Sequence, residues 1–398
     1  MQEDRFTRIK HDNGFPYNSI DYCLKENNLT IDDIDEVVFY ENPKLKMDRI
    51  LKTFISNVPR NFSLFSKAFI SQYKKWRQLK KEFSNLQFIK HHESHAASAF
   101  YPSPFKEAVI VTLDGVGEWD TASVSVGIDN KLKMIQTIEF PNSLGFLYSA
   151  FTYFCGFRVN SGEYKLMGLA PYGNPIYCDT ILENLVDVRQ DGSFSLNLDY
   201  FGFCNSEYMI NDKFSDLFGG EPRKSESEIT QRECDIAASI QKVTEDVVFK
   251  ICKNAKQITG QKNLCLAGGV SLNSVMIGKM YEWYDGIVEN IYIPPVPYDA
   301  GLAIGATQII WHDENFMNQP RITWKDSSPT YLGYTYHEDS IFEELKKHTD
   351  KVSYKKVDDY DVVDLLTKDD NVISVYGGGS ESGRRALGNR SILADPRS

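Results

Sequence analysis

Hydrophobic and polar positions along the chain alternate between short apolar runs and stretches of helical spacing, and these two patterns predict its elements. Residues 107–113 (EAVIVTL) form an apolar run of strand length, bounded by Pro104 before it and Gly115 after it. Residues 121–128 and 132–139 read as two further strands, and shorter ones are expected at 37–40, 263–267, 291–293 and 372–376. Helical spacing predicts helices over 17–28, 227–257, 300–312, 340–348 and 362–366, with another beginning near Leu272. Residues 45–84 are also helical in pattern, apart from a break near Pro59. Residues 143–173 are dense in glycine and aromatics, as a closely packed, ligand-facing segment would be. Residues 187–224, rich in Asn, Asp, Gly and Phe, read as an irregular insertion or lid, and 320–329 as a linker. Strands alternating with helices indicate an α/β architecture with substantial parallel sheet.

Composition narrows this picture only modestly. The length of 398 residues suits two to three domains at roughly 100–200 residues each. The net charge of −11 argues against nucleic acid as a general partner. One segment departs from that balance: residues 60–81 carry seven positive charges and no acid, with Phe65, Phe69, Tyr73 and Trp76 at helical spacing. Such a helix can bind phosphates or membranes, but a solvated face over a core stripe is the commoner arrangement. No apolar run approaches the roughly 20 residues needed to span a bilayer. The seven cysteines are odd in number, widely spaced and never CxxC, which fits a reduced, cytoplasmic compartment. No signal peptide is expected, and residues 2–8 read like the inside of a protein.

The chemistry concentrates at His91-His92-Glu93-Ser94-His95, which holds three of the seven histidines. His91 and His95 are four apart, so on a helix their side chains share one face. The strand at 107–113 then delivers Asp114 to its C-terminal end, where α/β sheets place ligand chemistry. Two imidazoles and a carboxylate suit Fe(II), Mn(II) or Zn(II). Asp299, at the start of the helix at 300–312, is either an N-cap or a fourth ligand. Two glycine loops follow strands, one with Gly115 and Gly117, the other with Gly268 and Gly269, and their backbone amides could approach phosphate oxygens. Two such loops in separate parts of one chain resemble those of the actin, sugar-kinase and heat-shock-chaperone superfamily, where nucleotide sits between duplicated ribonuclease-H-like halves. Asn273 is placed to reach a ribose or phosphate. Glu163 and Lys165 offer a carboxylate and an ammonium on a glycine-flanked segment, where a surface ion pair is the ordinary alternative. Glu381, Arg384, Arg385, Asn389 and Arg390 form a polar cluster around Gly383 and Gly388, either an oxyanion site or a surface turn.

Together these stretches resemble the O-carbamoyltransferases related to nodulation proteins and antibiotic-tailoring enzymes. The matching runs are residues 5–11, 91–102, 113–118, 143–173, 266–279, 297–305 and 385–397. The resemblance implies an ASKHA-type α/β core like the tRNA-threonylcarbamoyl transferase over 1–325. A linker and the start of a YrdC-like domain would follow over 326–398. It further implies ATP-dependent transfer of a carbamoyl group from carbamoyl phosphate, by way of carbamoyl-adenylate, to a hydroxyl of a small acceptor such as a sugar. His91, His95, Asp114 and Asp299 are then the expected ligands of a divalent metal, Fe(II) foremost. Lys10, His92, Glu163 and Lys165 are expected in catalysis, Gly115, Gly117, Gly268, Gly269 and Asn273 at the nucleotide, and Glu381, Arg385, Asn389 and Arg390 at carbamoyl phosphate. Neither nucleic acid nor membrane is expected as a partner, and a homodimer is left open. Family members begin with a strand hairpin before residue 5 and continue past Arg397, so the chain reads as a piece missing both ends. Gly379, Ser382 and Arg384 also replace the family's usual residues. A nucleotide- and metal-binding scaffold without turnover, or a tRNA-modifying relative, are the alternatives.

Overall fold

The chain forms two compact units, one of residues 35–323 and one in which residues 1–34 group with 324–398. The computed structural model describes residues 2–58, 62–83, 85–283, 288–313, 318–321, 329–354, 357–368, 371–384 and 386–395. Pro59, expected to break a helix, lies outside the described residues.

In the smaller unit, α1 (Asp4–Thr7) and α2 (Tyr17–Glu26) are joined through Glu3. Its buried carboxylate accepts from the amides and side chains of Asn18 and Ser19 at 2.7–3.2 Å. These four bonds hold its pKa below the usual range even though burial opposes them.

The larger unit opens with β1 (Val37–Phe39), α3 (Pro43–Ile55) and α4 (Phe62–Glu82), then β2 (Leu86–Phe88), which pairs parallel with β1. Asn42 caps α3 through its side-chain oxygen. The basic helix α4 uses its aromatic stripe for packing, with the Phe65 ring stacked on Phe54 of α3 at 4.2 Å. Next come α5 (His91–Phe100), β3 (Glu107–Leu113), β4 (Asp120–Ile128), β5 (Lys131–Glu139), α6 (Leu144–Phe154), α7 (Glu163–Leu169) and α8 (Cys178–Asn184). The stretch at 187–224 contains a hairpin of β6 (Val186–Val188) and β7 (Phe194–Leu196) and the short helix α9 (Asp212–Leu217). The unit ends with α10 (Gln231–Thr259), β8 (Asn263–Ala267), α11 (Ser274–Trp283), β9 (Asn290–Tyr292) and α12 (Leu302–His312). A capping box of Thr230 and Glu233 starts α10, and Gly260 ends it in the left-handed region at φ 68°.

Five strands make one mixed sheet in the order β5-β4-β3-β8-β9. β3 lies at its centre, antiparallel to β4 and parallel to β8, with Leu113 opposite Ala122 and Thr112 opposite Ala267. The architecture is α/β, as the alternation of patterns predicted. Period-two alternation divides β3 between two cores. Val109, Val111 and Leu113 pack with α6 and α10, whereas Ala108 and Ile110 pack with Ala96, Ala97, Ala99 and Phe100 of α5. Burial on both faces explains why this strand reads as a continuous apolar run.

Arg321 fixes the far end of α5. Its guanidinium donates to the carbonyls of Phe100, Tyr101, Ser103 and Phe105 and lies 4.1 Å from the centre of the Phe100 ring. Two of these, of Phe100 and its cap Tyr101, are carbonyls that the helix C-terminus leaves without an intrahelical partner, and a cation there also complements the helix dipole. Arg321→Ala is expected to lower the stability of the chain by about 2–4 kcal/mol, because several half-buried carbonyls lose a charged donor together. Urea unfolding of the two proteins measures the difference.

The smaller unit closes with α13 (Glu338–Lys346), α14 (Asp359–Thr367), and an antiparallel pair of β10 (Val372–Tyr376) and β11 (Arg390–Ala394). Among the described residues no helix is long and apolar enough to cross a membrane.

Candidate metal centre

Three chain segments bring the expected ligands to one point. β3 ends at Asp114, whose amide bonds the Thr121 carbonyl and so holds the turn against β4. α5 begins at His91, which sets His91 and His95 one turn apart on the same face. The loop after β8 turns at Gly268 with φ 89°, and its amide bonds the Pro297 carbonyl at 2.7 Å. That bond draws in the segment 297–301, where Asp299 opens the turn leading to α12. A Cβ at Gly268 would stand 2.1 Å from the Leu113 carbonyl oxygen, so this close crossing of the two loops requires glycine.

One donor atom from each of His91, His95, Asp114 and Asp299 falls within 4.8 Å of all the others. His91 Nε2 is 3.1 Å from Asp114 Oδ2 and 3.9 Å from Asp299 Oδ1. His95 Nε2 is 3.8 Å from Asp114 Oδ2 and 3.6 Å from Asp299 Oδ1. Donors bound at about 2.0–2.2 Å to one centre stand about 3–4 Å apart, as these four imidazole–carboxylate distances do. The strongest observation is His95 itself: its ring is wholly buried, and Nε2 faces two carboxylates without reaching hydrogen-bond distance of either. Burial alone would push the His95 pKa down, but the facing carboxylates of Asp114 and Asp299 outweigh it and raise it to about 9. Asp114 shifts the opposite way: burial would raise it, and the two imidazoles hold it well below the carboxylate range. Two nitrogens and two oxygens form a borderline set suited to Fe(II), Mn(II) or Zn(II).

A residue not singled out in the sequence organises this centre. Helix α5 starts after Lys90, which supplies no capping side chain. Glu118 takes that place from outside, its two oxygens each 3.1 Å from the His91 amide and one of them 2.6 Å from the Asn42 amide. Its side chain is only 2% exposed. The missing cap before His91, with an acid just beyond the glycine turn, is the signal that could have found it. Glu118→Gln keeps one acceptor oxygen but removes the charge at the helix N-terminus. It is expected to weaken metal binding by about 10-fold, the lower end of outer-shell effects. Titration calorimetry with Mn(II) checks this.

The other expected residues are placed less simply. Gly115, Gly117, Gly268 and Gly269 border Asp114, and the Gly269 amide donates to Asp114 Oδ1 at 3.0 Å, linking the two loops. The amides of Gly117 and Gly268 bond Asp120 and Pro297 carbonyls, so of the four only the Gly115 amide lacks a partner among the described residues. Asn273, expected at the nucleotide, is engaged within the protein. Its amide exchanges hydrogen bonds with Gln241 at 2.8 and 3.0 Å, and its oxygen caps α11 at Met276. Gln241 in turn bonds Tyr148 and Glu245, and Glu245 pairs with Lys279 at 2.8 Å.

His92 points away from the four-donor cluster. It is fully buried and bonds Ser123 of β4 through Nδ1 at 3.0 Å, and burial beside His91 and His95 keeps it neutral. A ring sealed from solvent has no path to a substrate, so its expected catalytic part is not supported. Glu163, the first residue of α7, accepts the Asn160 amide and the Ser149 hydroxyl. Lys165 is exposed over the Phe157 ring, in an open cleft of about 430 Å³ that also holds Tyr172 and Arg223. Lys10 is exposed in the smaller unit. Within that unit Glu381 accepts from the amides of Leu387, Asn389 and Arg390, which hold its pKa below normal against the effect of burial. Asn389 bonds the Gly379 carbonyl, and Arg390 bonds carbonyls of Gly378 and Tyr334 while stacking on Tyr376. These three side chains therefore take part in building the turn, and Arg385, expected beside them, lies outside the described residues.

A family model described as Carbamoyltransferase N-terminus matches residues 1–308, and one described as Carbamoyltransferase C-terminus matches residues 364–398. An uncharacterized protein of Synechocystis is 44% identical, with all of this chain and 67% of that protein covered. The nodulation protein NolNO of Sinorhizobium fredii is 32% identical, again over all of this chain but over 56% of its own length. Full-length HypF, solved in its phosphate- and nucleotide-bound form, is 14% identical over 63% of this chain and 51% of HypF, with a TM-score of 0.35. The chain thus spans between about half and two thirds of the length of the relatives named here.

Proposed function

The chain belongs to the carbamoyltransferase family, and from that premise we propose that it carries out ATP-dependent O-carbamoyl transfer to a small hydroxylated molecule such as a sugar or antibiotic. In this reading carbamoyl phosphate, water and ATP give carbamoyl-adenylate, with phosphate and pyrophosphate released. The acceptor oxygen bonds the carbamoyl carbon, the bond to AMP breaks, AMP leaves with the electron pair, and the hydroxyl proton passes to solvent. The observation that carries the reading is the convergence of His91, His95, Asp114 and Asp299 at the meeting point of two glycine loops.

Those four side chains would hold a divalent ion, Fe(II) first among the ions the donor set suits. Such an ion supplies Lewis-acid polarisation of a carbonyl or phosphoryl oxygen. The protein's own part is mainly placement. Asp114, fixed by the Gly269 amide and the two imidazoles, stays ionised, and the free Gly115 amide beside it is available to an adenylate oxygen. Tyr40 lies near Asp299, and burial together with that carboxylate and Glu41 raises its pKa to about 12, so it remains a neutral hydroxyl donor. Lys10 and Arg385 would serve carbamoyl phosphate. Holding activated carbamoyl and acceptor side by side accounts for much of the rate without a dedicated base.

The test is incubation of Fe(II)-loaded chain with ATP, carbamoyl phosphate and a panel of sugar acceptors, followed by AMP release and mass spectrometry. A carbamoylated sugar formed by the parent and not by His91→Ala supports the proposal. Metal and nucleotide binding without any carbamoylated product would overturn it in favour of a scaffold.

A further inference from the structure

Helix α3 carries a cation, Arg49, that has no hydrogen-bonded or ion-paired partner among the described residues. Arg49 is half-buried, and its Nε is shielded from solvent with no hydrogen-bond partner among the described residues. Two buried carboxylates are its electrostatic neighbours, but both are engaged elsewhere: Glu41 pairs with Lys46 at 2.5 Å, and Glu118 accepts the amides of Asn42 and His91. The contact Arg49 does make is with a ring, its guanidinium carbon lying 5.1 Å from the centre of Phe140. A guanidinium presents five donors in a planar fork, and the buried Nε–H is costly to leave unsatisfied unless a ligand takes up that side of the fork.

The surroundings of Arg49 lead to the metal centre. Phe140 packs on Phe146 and Phe203 with centroids 6.2 and 6.3 Å away, and Phe146 and Phe203 lie 5.2 Å apart. All three rings are half-buried. Phe146 also lies against Gly115, where an added Cβ would come within 3.3 Å of its ring. An aromatic wall therefore runs from the loop that carries Asp114 to the guanidinium of Arg49. Phe203 comes from the 187–224 stretch, so that insertion shapes the wall.

We propose that Arg49 and the wall of Phe140, Phe146 and Phe203 form the acceptor subsite, and that the acceptor carries an oxyanion, carboxylate or phosphate, besides the hydroxyl that is modified. The proposal rests on the transfer function above and names its substrate class. The ring of the acceptor lies on the aromatic wall, and its oxyanion takes the Arg49 fork in two parallel hydrogen bonds. A chain of net charge −11 repels anions at long range, so an anionic acceptor requires such a local cation.

Titration calorimetry on the full chain with glucose, glucuronate and glucose 6-phosphate as probes tests this, and comparison of the last two separates carboxylate from phosphate. At least one anionic sugar is expected to bind about 10-fold or more tightly than glucose. Arg49→Gln should abolish that preference while leaving glucose binding within about twofold, and Arg49→Lys should retain part of it. Phe203→Ala should weaken all three probes alike, which checks the wall apart from the charge. No preference in the parent protein, or a preference that survives Arg49→Gln, overturns the proposal. Because binding is read without ATP or carbamoyl phosphate, failure of the transfer reaction leaves this result standing or falling by itself.

Discussion

The double variant His91→Ala/His95→Ala is expected to lose its bound divalent metal completely, where the parent chain holds about one equivalent after anaerobic Fe(II) loading. The expectation follows from the donor set. Removing both imidazoles leaves Asp114 and Asp299, and Asp114 already accepts the Gly269 amide through one oxygen. Two oxygens from opposite loops, one on a side chain that is 62% exposed, make a weak and open site. The loss in affinity should exceed the roughly 100-fold that outer-shell changes produce. The fold should survive, because the core on that side of the sheet rests on Ala96, Ala97, Ala99, Phe100 and Ile110 and not on the rings. Elemental analysis of both proteins, with circular dichroism to confirm folding, decides it. Stoichiometric metal in the double variant would place the ion elsewhere, and none in the parent would remove the centre from the argument.

How far this site could be read in advance depended on sequence distance. The His91/His95 pair and the strand leading to Asp114 were legible because each is a local pattern, a helical repeat of four and a short apolar run. The remaining assignments turn on which groups take up each side chain once the chain is folded, and local spacing does not show that. Asn273 reads as a nucleotide contact beside Gly269, yet Gln241, 32 residues away, takes up its amide. Glu381, Asn389 and Arg390 read as an oxyanion site, yet within a few residues of one another they satisfy the turn's own amides and carbonyls. His92 sits between two ligands in sequence, but helical geometry turns it about 100° per residue onto the sheet. Glu118 is hard to read for the opposite reason, since its partners, the His91 and Asn42 amides, are backbone groups that carry no side-chain signature. The basic helix α4 resolved toward packing, because its Phe65 found Phe54 in the neighbouring helix.

Asp299 depends on an approach between two helices that a single methyl group should break. α12 carries Asp299 at its entry and packs on α5 through Gly305, where a Cβ would lie 1.8 Å from the Ser94 carbonyl oxygen. That oxygen belongs to the backbone of the helix bearing both histidines, so it cannot yield as a flexible side chain would. Gly305→Ala must therefore drive α12 and α5 apart, and Asp299 moves off His91 and His95 with it. In a free helix the same substitution stabilises by about 1 kcal/mol, through lower backbone entropy in the unfolded chain. Here overpacking should reverse the sign and cost about 1–3 kcal/mol, with a larger value for Gly305→Val. Gly278, in α11 with nothing within 4 Å of an added Cβ, is the matched control, and Gly278→Ala should stabilise. Thermal unfolding and Mn(II) titration of the variants distinguish the outcomes. Gly305→Ala should lower both stability and metal affinity, and Gly278→Ala should raise stability with affinity unchanged. If Gly305→Ala behaves like Gly278→Ala, the two helices do not meet closely enough for α12 to position Asp299.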